Sequence, residues 1–345
     1  MRSPMKLSIG IAASLALLAE GALAQDRVEL APHSPWVVSY DADSCTLKRQ
    51  FGEEGRQAYL ELRQFGPSQD TQVTVASKDF RRRDGAYQVA FQPVDPEPLE
   101  LDRFSVDLDE GYEGKLFSYR HGRGDPRVEA AMREFATTTP VLTDEERTLV
   151  LLAQDLDPES KEYERLWQNP AIRSASNTSH TAYLRSESWQ ILRNALESET
   201  RGMLIERAFS DPLFLRTGNL HPAMEAMRSC LDDLYSHWGI DVDAHRTLRR
   251  PATPLDFARI VREITESYPR GMVRIGRQAS LRVRLDVAPD GMPTGCHMQV
   301  DYNEDDFERV ACQKLMRYAR FAPALDKDGQ PIASFYQTAI HYQLN

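Results

Sequence analysis

Residues 279–302 read ASLRVRLDVAPDGMPTGCHMQVDY, and this stretch decides the fold of the last quarter of the chain. Apolar and polar side chains alternate on both sides of a Pro289-Asp290-Gly291 turn, which is typical of a β-hairpin. The first strand places Leu281, Val283, Leu285 and Val287 on one face and Arg282, Arg284 and Asp286 on the other. The second strand likewise opposes Cys296, Met298, Val300 and Tyr302 to His297, Gln299 and Asp301. One face of the predicted sheet is therefore apolar and needs a cover.

The segment 305–320 supplies that cover, because its apolar side chains recur at helical spacing. They are Phe307, Val310, Ala311, Leu315, Tyr318 and Ala319. Residues 255–268 predict an earlier helix. The run SFYQTAIHYQLN (334–345) alternates again, with Tyr336, Ile340, Tyr342 and Leu344 on the core side. The C-terminal domain, residues 251–345, is thus predicted to run helix, strand, strand, helix, strand around an antiparallel sheet.

The first residues predict export. Arg2 and Lys6 form a positive region, and an apolar run follows over 7–18. Ala22 and Ala24 are the small residues that signal peptidase needs, so we expect residues 1–24 to be removed and Gln25 to become the first residue. The run is shorter than the ~20 residues that span a bilayer. We expect an exported, periplasmic protein with no membrane span; the alternative is an uncleaved signal that anchors it in the inner membrane.

Export makes disulfides the first interpretation of the four cysteines. Cys296 lies on the sheet face that the helix covers, and Cys312 lies at the flank of that helix, so these two are predicted to pair. Cys45 and Cys230 then remain for each other. On the chain-entropy argument the two bonds contribute roughly 3 and roughly 5 kcal/mol, because the second closes a far longer loop.

Residues 25–250 predict a mixed domain of unknown role, β-rich over 30–120 and helical or mixed over 125–248. Short alternating runs predict strands at WVVSY (36–40), CTLKRQFG (45–52), QAYLELRQFG (57–66), TQVTVASKDF (71–80) and YQVAFQPV (87–94). Helices are predicted over 126–135, 143–155 and 221–238, the second opening on a Thr143–Glu146 capping box, with a strand pair over 202–217. The prolines of 249–254 mark the domain boundary. The whole chain is accordingly predicted to be α+β.

Composition and motifs exclude several functions. A chain of 345 residues favours two domains, and a net charge of -10 argues against nucleic acid and anionic membranes as partners. We find no GxSxG elbow, no HExxH motif and no glycine-rich phosphate loop, so we predict neither an enzyme nor a cofactor. A zinc site is not predicted, because His297 lies on the sheet face opposite Cys296.

The C-terminal residues resemble the C-terminal domain of TonB energy-transducing proteins. The resemblance rests on Tyr268-Pro269, on LRVRLDVAPDG (281–291) with Asp290 and Gly291, on 307–323 ending in RYARFAP with Phe321 and Pro323, and on GQPIA (329–333). It implies a periplasmic domain that binds an outer-membrane receptor and serves transmembrane transport. In that family a short receptor segment adds as a strand beside the last strand. The residues that this implies here are Phe335, Tyr336, Gln337, Thr338, Ala339, Ile340, His341 and Tyr342.

The chain also departs from the family. TonB transducers keep a membrane helix and a proline-rich linker, where this sequence has the predicted domain 25–250. The alternative function is therefore a periplasmic protein in which the TonB-like domain is a scaffold and the N-terminal domain binds a ligand or the cell wall. The receptor, or another envelope protein, remains the predicted partner.

Overall fold

The computed structural model describes residues 27–66, 70–101, 105–108, 111–140, 142–156, 160–167, 169–276, 279–299 and 305–342. The predicted signal cleavage site at Ala22, Ala24 and Gln25 lies outside these residues. The sheet faces predicted for Val300, Asp301, Tyr302 and Leu344 also concern residues outside the described ranges.

The part of the chain before residue 249 contains two sheets and seven helices within the described residues. Its strands are β1 (Val28–Leu30), β2 (Val37–Tyr40), β3 (Cys45–Phe51), β4 (Ala58–Gln64), β5 (Asp70–Ser77), β6 (Tyr87–Gln92), β7 (Leu99–Leu101), β8 (Ser105–Asp107), β9 (Glu113–Arg120), β10 (Gly202–Glu206) and β11 (Leu213–Leu215). Its helices are α1 (Pro126–Thr138), α2 (Asp144–Asp155), α3 (Lys161–Trp167), α4 (Pro170–Tyr183), α5 (Glu187–Glu199), α6 (His221–His237) and α7 (Val242–Arg246).

The two sheets share one apolar core. Strands β2-β3-β4-β5-β9-β8 form one sheet in that order, and β1-β11-β10-β6-β7 form the other. Aliphatic and aromatic side chains of both sheets, together with one face of α6, pack in this core. All five predicted strand runs over 36–94 are confirmed, as is the 202–217 strand pair. The β1–β11 pair is parallel, which the alternation pattern did not reveal.

Helices α1–α5 form an insertion between β9 and β10. The predicted capping box is present, because the Thr143 hydroxyl accepts from the Glu146 amide and the Glu146 carboxylate accepts from the Thr143 amide. Helices α3, α4 and α5 were not predicted individually within the helical or mixed region 125–248; the polar composition over 156–182 hides the periodicity of α3 and α4. Trp189 and Leu196 are the buried apolar anchors of α5.

The part from residue 249 onward has its own core. Its elements are β12 (Thr253–Pro254), α8 (Phe257–Thr265), α9 (Arg270–Arg274), β13 (Ala279–Val287), β14 (Pro293–Met298), α10 (Asp305–Tyr318), β15 (Phe321–Ala322), β16 (Ala324–Leu325), β17 (Pro331–Ile332) and β18 (Ser334–Tyr342). The order β14-β13-β18 is antiparallel throughout. The apolar face of β13 packs under α8 and α10, as the alternation predicted.

Both predicted disulfides are present. Cys45 at the start of β3 bonds Cys230 of α6 across 185 residues, with Cα atoms 6.0 Å apart. Cys296 of β14 bonds Cys312 of α10 across 16 residues, with Cα atoms 5.7 Å apart. The first bond joins two elements of the N-terminal part, and the second fastens the covering helix to the far edge of the C-terminal sheet.

We predict unequal losses when each disulfide is removed as a pair. Replacing both Cys296 and Cys312 by serine should lower the free energy of unfolding by about 3 kcal/mol, and replacing Cys45 and Cys230 by about 5 kcal/mol, because the longer loop restricts the unfolded chain more. Denaturant titration of the oxidised protein measures both values. The parent chain in reductant is the control, and a smaller loss for the Cys45–Cys230 pair would contradict the ranking.

Candidate functional site

Strand β18 has one open edge. Among the described residues its only strand neighbour is β13, which pairs with it from Ala279–Tyr342 to Val287–Ser334. The Gln299 amide donates to the Arg282 carbonyl, so the backbone groups of Arg282 face β14. Polar backbone groups alternate sides along a strand. The backbone amides and carbonyls of residues 281, 283, 285 and 287 therefore face β18.

The same alternation identifies the groups on the open edge. The even-numbered residues of β18 lie opposite residues 281–287 of β13 and bond to them. The amides and carbonyls of Phe335, Gln337, Ala339 and His341 accordingly point away from the sheet. Among the described residues only the Ala339 carbonyl of this row has a hydrogen-bond partner, the Thr338 hydroxyl at 3.4 Å, and such an edge is a template for another strand.

An apolar groove of about 320 Å³ follows this edge, between α8 and β18. Its walls are aliphatic and aromatic, and Val261 on its rim is 44% exposed. The lining residues are Ile260, Val261, Ile264, Thr265, Tyr268, Leu285, Leu315, Ala319, Phe321, Tyr336, Thr338, Ala339, Ile340 and Tyr342. The groove thus lies where the side chains of an added strand would point.

Three aromatic rings close one end of the groove. The ring of Tyr342 lies 4.9 Å from that of Phe307 and 5.3 Å from that of Tyr268, measured between centroids. Burial raises the pKa of Tyr342 to about 12, and its hydroxyl has no hydrogen-bond partner among the described residues. Tyr268 of the family motif is therefore part of the groove itself.

The other motif residues hold the hairpin in place. Asp290 accepts from the Met292 amide and so fixes the turn. Gly291 has φ +81°, and a Cβ there would lie 2.0 Å from the Phe321 carbonyl oxygen, so only glycine fits. Phe321 donates its amide to Gly291 and packs its ring against Tyr336. Pro269 is buried before α9, and the Pro323 carbonyl accepts from Arg250.

The polar face of the C-terminal sheet docks on the N-terminal part through several of its side chains. Arg284 is the centre of this contact: its side chain is only 5% exposed. Its guanidinium lies 4.0 Å from the Trp238 ring centroid and bonds to the carboxylates of Asp43 and Asp286. A buried arginine of this kind needs both charge and hydrogen-bond partners, and it has them on both sides of the contact.

Two glutamines extend the docking contact. Gln299 donates to the Asp43 and Phe65 carbonyls over 3.2 and 3.3 Å. Gln337 donates to the Phe65 carbonyl and, over 3.0 Å, to the Gln299 side chain. A Cβ on Gly66 would lie 2.7 Å from the Gln337 amide oxygen, which shows how closely the two parts approach.

Phe335, the first residue of β18 whose backbone faces the open edge, packs its ring in an aromatic cluster. The Phe335 ring lies 5.1 Å from Tyr235, 5.6 Å from Trp238 and 6.1 Å from His245 between centroids. His245 also bonds the Ser334 hydroxyl over 3.0 Å and the Asp241 carbonyl over 2.9 Å. The pKa of His245 is lowered, chiefly by burial. We call Asp43, Phe65, Gly66, Tyr235, Trp238 and His245 the docking face.

Sequence reasoning placed the open edge and the motif residues but missed the docking face. The signal was present in the sequence: the polar face of the first hairpin strand carries two arginines with one aspartate, and the last strand adds Phe335 to that face. Nothing in the pattern says which distant residues receive them. Among the described residues, no group of histidine, cysteine and acidic side chains is arranged to hold a metal ion.

The C-terminal part thus belongs to the α+β class of folds, in which an antiparallel three-stranded sheet lies under two helices and here leaves one edge strand open. The comparison with family models makes the assignment specific: residues 265–344 match the C-terminal domain of the Gram-negative bacterial TonB protein. Residues 265–344 therefore form a TonB C-terminal domain, a kind of domain found in TonB-like envelope proteins. No curated protein and no solved structure matches the chain.

The match begins at residue 265, so the N-terminal part lies outside it. Across the described ranges, none of the helices combines the length and the apolar character that crossing a bilayer requires.

We predict that acid weakens the fold through His245. Its folded pKa is below the value of about 6.5 for the unfolded chain, so the unfolded chain takes up a proton that the folded chain refuses. The free energy of unfolding should therefore fall as the pH drops below about 6.5. A His245→Gln variant should show a flatter dependence between about pH 7 and 5, measured by denaturant titration.

Comparing the variant with the parent cancels the contributions of the other titrating groups to the pH dependence. Burial also lowers the pKa of His121 and His180, which act in the same direction, and raises the pKa of Asp95 to about 6, which acts in the opposite one. All three remain in both proteins. Equal slopes for parent and variant would contradict a role for His245.

Proposed function

We propose that this chain is a non-enzymatic, periplasmic interaction protein whose β18 edge binds an extended segment of a partner by strand addition. The partner that the family assignment favours is an outer-membrane receptor, or another envelope protein with an accessible extended segment. The single observation that supports this most is the coincidence of the apolar groove with the open edge of β18.

The geometry gives the added strand two kinds of contact. Its backbone would bond to Phe335, Gln337, Ala339 and His341, which supplies affinity with little regard to sequence. Its alternate side chains would enter the groove, and each aliphatic side chain buried there contributes about 1.5–3 kcal/mol. The chemistry of the groove therefore selects an extended segment with aliphatic residues at every second position.

A role in transmembrane transport follows as part of the proposal. The partner's segment would be held by the C-terminal sheet, while the docking face holds that sheet against the N-terminal part. Load on the bound segment would then pass along β18 and β13 to the Arg284 contact. The N-terminal part would thus support the C-terminal sheet while that sheet holds the receptor segment.

The docking contact also favours a second candidate. Arg284, Gln299 and Gln337 of the sheet are held against the N-terminal part, so in this candidate the TonB-like domain is a scaffold for it and the N-terminal part binds a ligand or the cell wall. Binding of a receptor peptide at β18 distinguishes the two candidates, since the scaffold alone requires no binding there.

Proline substitution tests the open edge. Ala339 is exposed and its amide faces outward, so Ala339→Pro removes one edge donor without breaking a bond to β13. We expect about tenfold weaker binding of a receptor-derived peptide, measured by fluorescence anisotropy, with the fold retained. Thr338→Pro is the matched control, because its amide faces β13 and its loss should instead destabilise the fold by about 3 kcal/mol. Unchanged peptide binding by the folded Ala339→Pro protein would count against strand addition.

A charge at the groove rim tests the side-chain contacts. Val261 and Val273 are 44% and 46% exposed, but only Val261 lines the groove. Val261→Asp should weaken binding of the same peptide roughly tenfold, because a carboxylate there must stay hydrated where an apolar side chain should pack. Val273→Asp adds the same charge off the groove and should bind like the parent. If the two variants bind equally, the groove is not the contact surface.

A further inference from the structure

The apolar groove beside β18 reaches further into the C-terminal part at one end than at the other. Among the buried residues of β13, Leu285 lines the groove, whereas Leu281 and Val283 do not. Leu285 pairs with Tyr336, so the groove reaches the central strand at the end of β18 that carries Tyr336. Neighbouring strands lie about 4.8 Å apart. The floor of the groove at this end is therefore one strand further in than the open edge.

The other walls at this end come from α10 and the residues that follow it. Leu315 of α10 accepts the amide of Ala319, so these two residues lie one helical turn apart, and both line the groove. Phe321 comes next in β15, and its ring lies 5.2 Å from that of Tyr336 between centroids. We call Leu285, Leu315, Ala319, Phe321 and Tyr336 the deep end of the groove. Ala319 contributes only a methyl group to its wall, which leaves space beside it.

Short aliphatic side chains of a partner strand would not fill the deep end. An added strand lies about 4.8 Å outside β18, so its Cα atoms are about 10 Å from the backbone of β13. By standard bond lengths, a valine side chain extends about 2.5 Å from its Cα atom and a phenylalanine side chain about 5 Å. The groove has a volume of about 320 Å³, and an apolar cavity of about 150 Å³ already holds a benzene molecule. The groove therefore has room for one aromatic ring beside aliphatic side chains.

The lining of the groove favours a ring over another long side chain. Among the described residues, Tyr268 and Tyr342 line one end of the groove, and Phe321 and Tyr336 line the other. Aromatic rings attract one another in tilted and edge-to-face arrangements, beyond the effect of the area that they bury. The side chain of Leu285 on the floor has no polar atom, so a charged group would lose its hydration there without a partner.

We propose that the deep end binds an aromatic side chain of the partner strand, carried by the residue that lies beside Tyr336 when that strand pairs with β18. This inference rests on the proposed strand addition, and the deep end is continuous with the open edge that the proposal uses. It narrows the partner to a segment with aliphatic residues at alternate positions and one aromatic residue among them. That residue would be the anchor of the complex, as large rings in well-packed pockets commonly are.

The test uses the full-length oxidised protein and a six-residue peptide in which serine and valine alternate. Each valine is replaced in turn by phenylalanine, which samples both strand directions. In a second set of peptides, methionine takes the same positions and supplies a flexible apolar side chain of similar length. Fluorescence anisotropy measures the affinity of each peptide for the parent protein and for two variants.

The variants add the same atoms at two places. Ala319→Leu fills part of the deep end from the protein side. Ala322 is half-buried in β15 and does not line the groove, so Ala322→Leu is the matched control. Thermal unfolding of both variants shows whether the fold is retained.

We expect one phenylalanine peptide to bind the parent about tenfold more tightly than the valine peptide, because its ring buries more apolar surface. The methionine peptides should gain less. Ala319→Leu should lose the preference for phenylalanine and bind the valine peptide like the parent, whereas Ala322→Leu should keep the preference. The inference is overturned if no phenylalanine peptide binds the parent better than the valine peptide, if a methionine peptide equals the best of them, or if folded Ala319→Leu keeps the preference.

Methyl NMR of the parent provides a test that does not depend on the variants. The best phenylalanine peptide should shift the methyl signals of Leu285 and Ala319 more than the valine peptide does, because an aromatic ring changes the field at neighbouring protons. Equal shifts with both peptides would place the ring outside the deep end and overturn the inference, even where Ala319→Leu fails to fold.

The outcomes also separate this inference from strand addition. If all peptides bind the parent equally and Ala339→Pro weakens them all, the open edge binds a strand and only the aromatic anchor is wrong. If no peptide binds the parent, both proposals are wrong. Sedimentation that shows a dimer of the parent, which no peptide dissociates, would identify a second copy of this chain as the occupant and also overturn the inference.

Discussion

The burial of Arg284 between Trp238 and two carboxylates is the contact on which the arrangement of the whole chain depends. A sheet with one apolar and one polar face would ordinarily leave the polar face in water. Here that face carries a cation that is almost completely removed from solvent, and such a group is tolerated only with its partners in place. Because one of those carboxylates and the ring belong to the N-terminal part, neither part satisfies the arginine alone. The position of the open edge relative to the docking face is therefore fixed by charge pairing as well as by packing.

The two disulfides support this contact from opposite sides. Cys45 follows Asp43 by two residues, and Cys230 lies two turns before Trp238 in the same helix. The bond thus holds together the two elements that receive Arg284. The Cys296–Cys312 bond fastens α10 at the β14 edge of the sheet and leaves the β18 edge free. Covalent restraint is concentrated away from the edge that the proposed partner would use.

Local patterns predicted much of the fold and only part of the site. The hairpin over 279–298, the covering helix and the last strand are confirmed because each needs only a period of two or of 3.6 in its own residues. The Cys296–Cys312 pair followed from which faces meet, and the Cys45–Cys230 pair followed because those two cysteines remained. In contrast, the parallel β1–β11 pair and the docking face join residues far apart in the chain, and no periodicity encodes such pairing. Phe335 and Arg284 illustrate the difference: the sequence shows which way they point, whereas only the structure shows Tyr235, Trp238 and Asp43 opposite them.

The interruption of the N-terminal part by α1–α5 has a consequence for the order of assembly. Its docking face takes Asp43 from before the insertion and Trp238 from after it, so this face exists only once distant segments of the chain have met. The C-terminal sheet, whose contacts join residues much nearer in sequence, has a far smaller loop-closure entropy to overcome. The C-terminal sheet can therefore form first, before the docking face that contacts Arg284 has assembled. During that interval Arg284 remains hydrated, and the two halves of the molecule combine as a late step, much as separate subunits would.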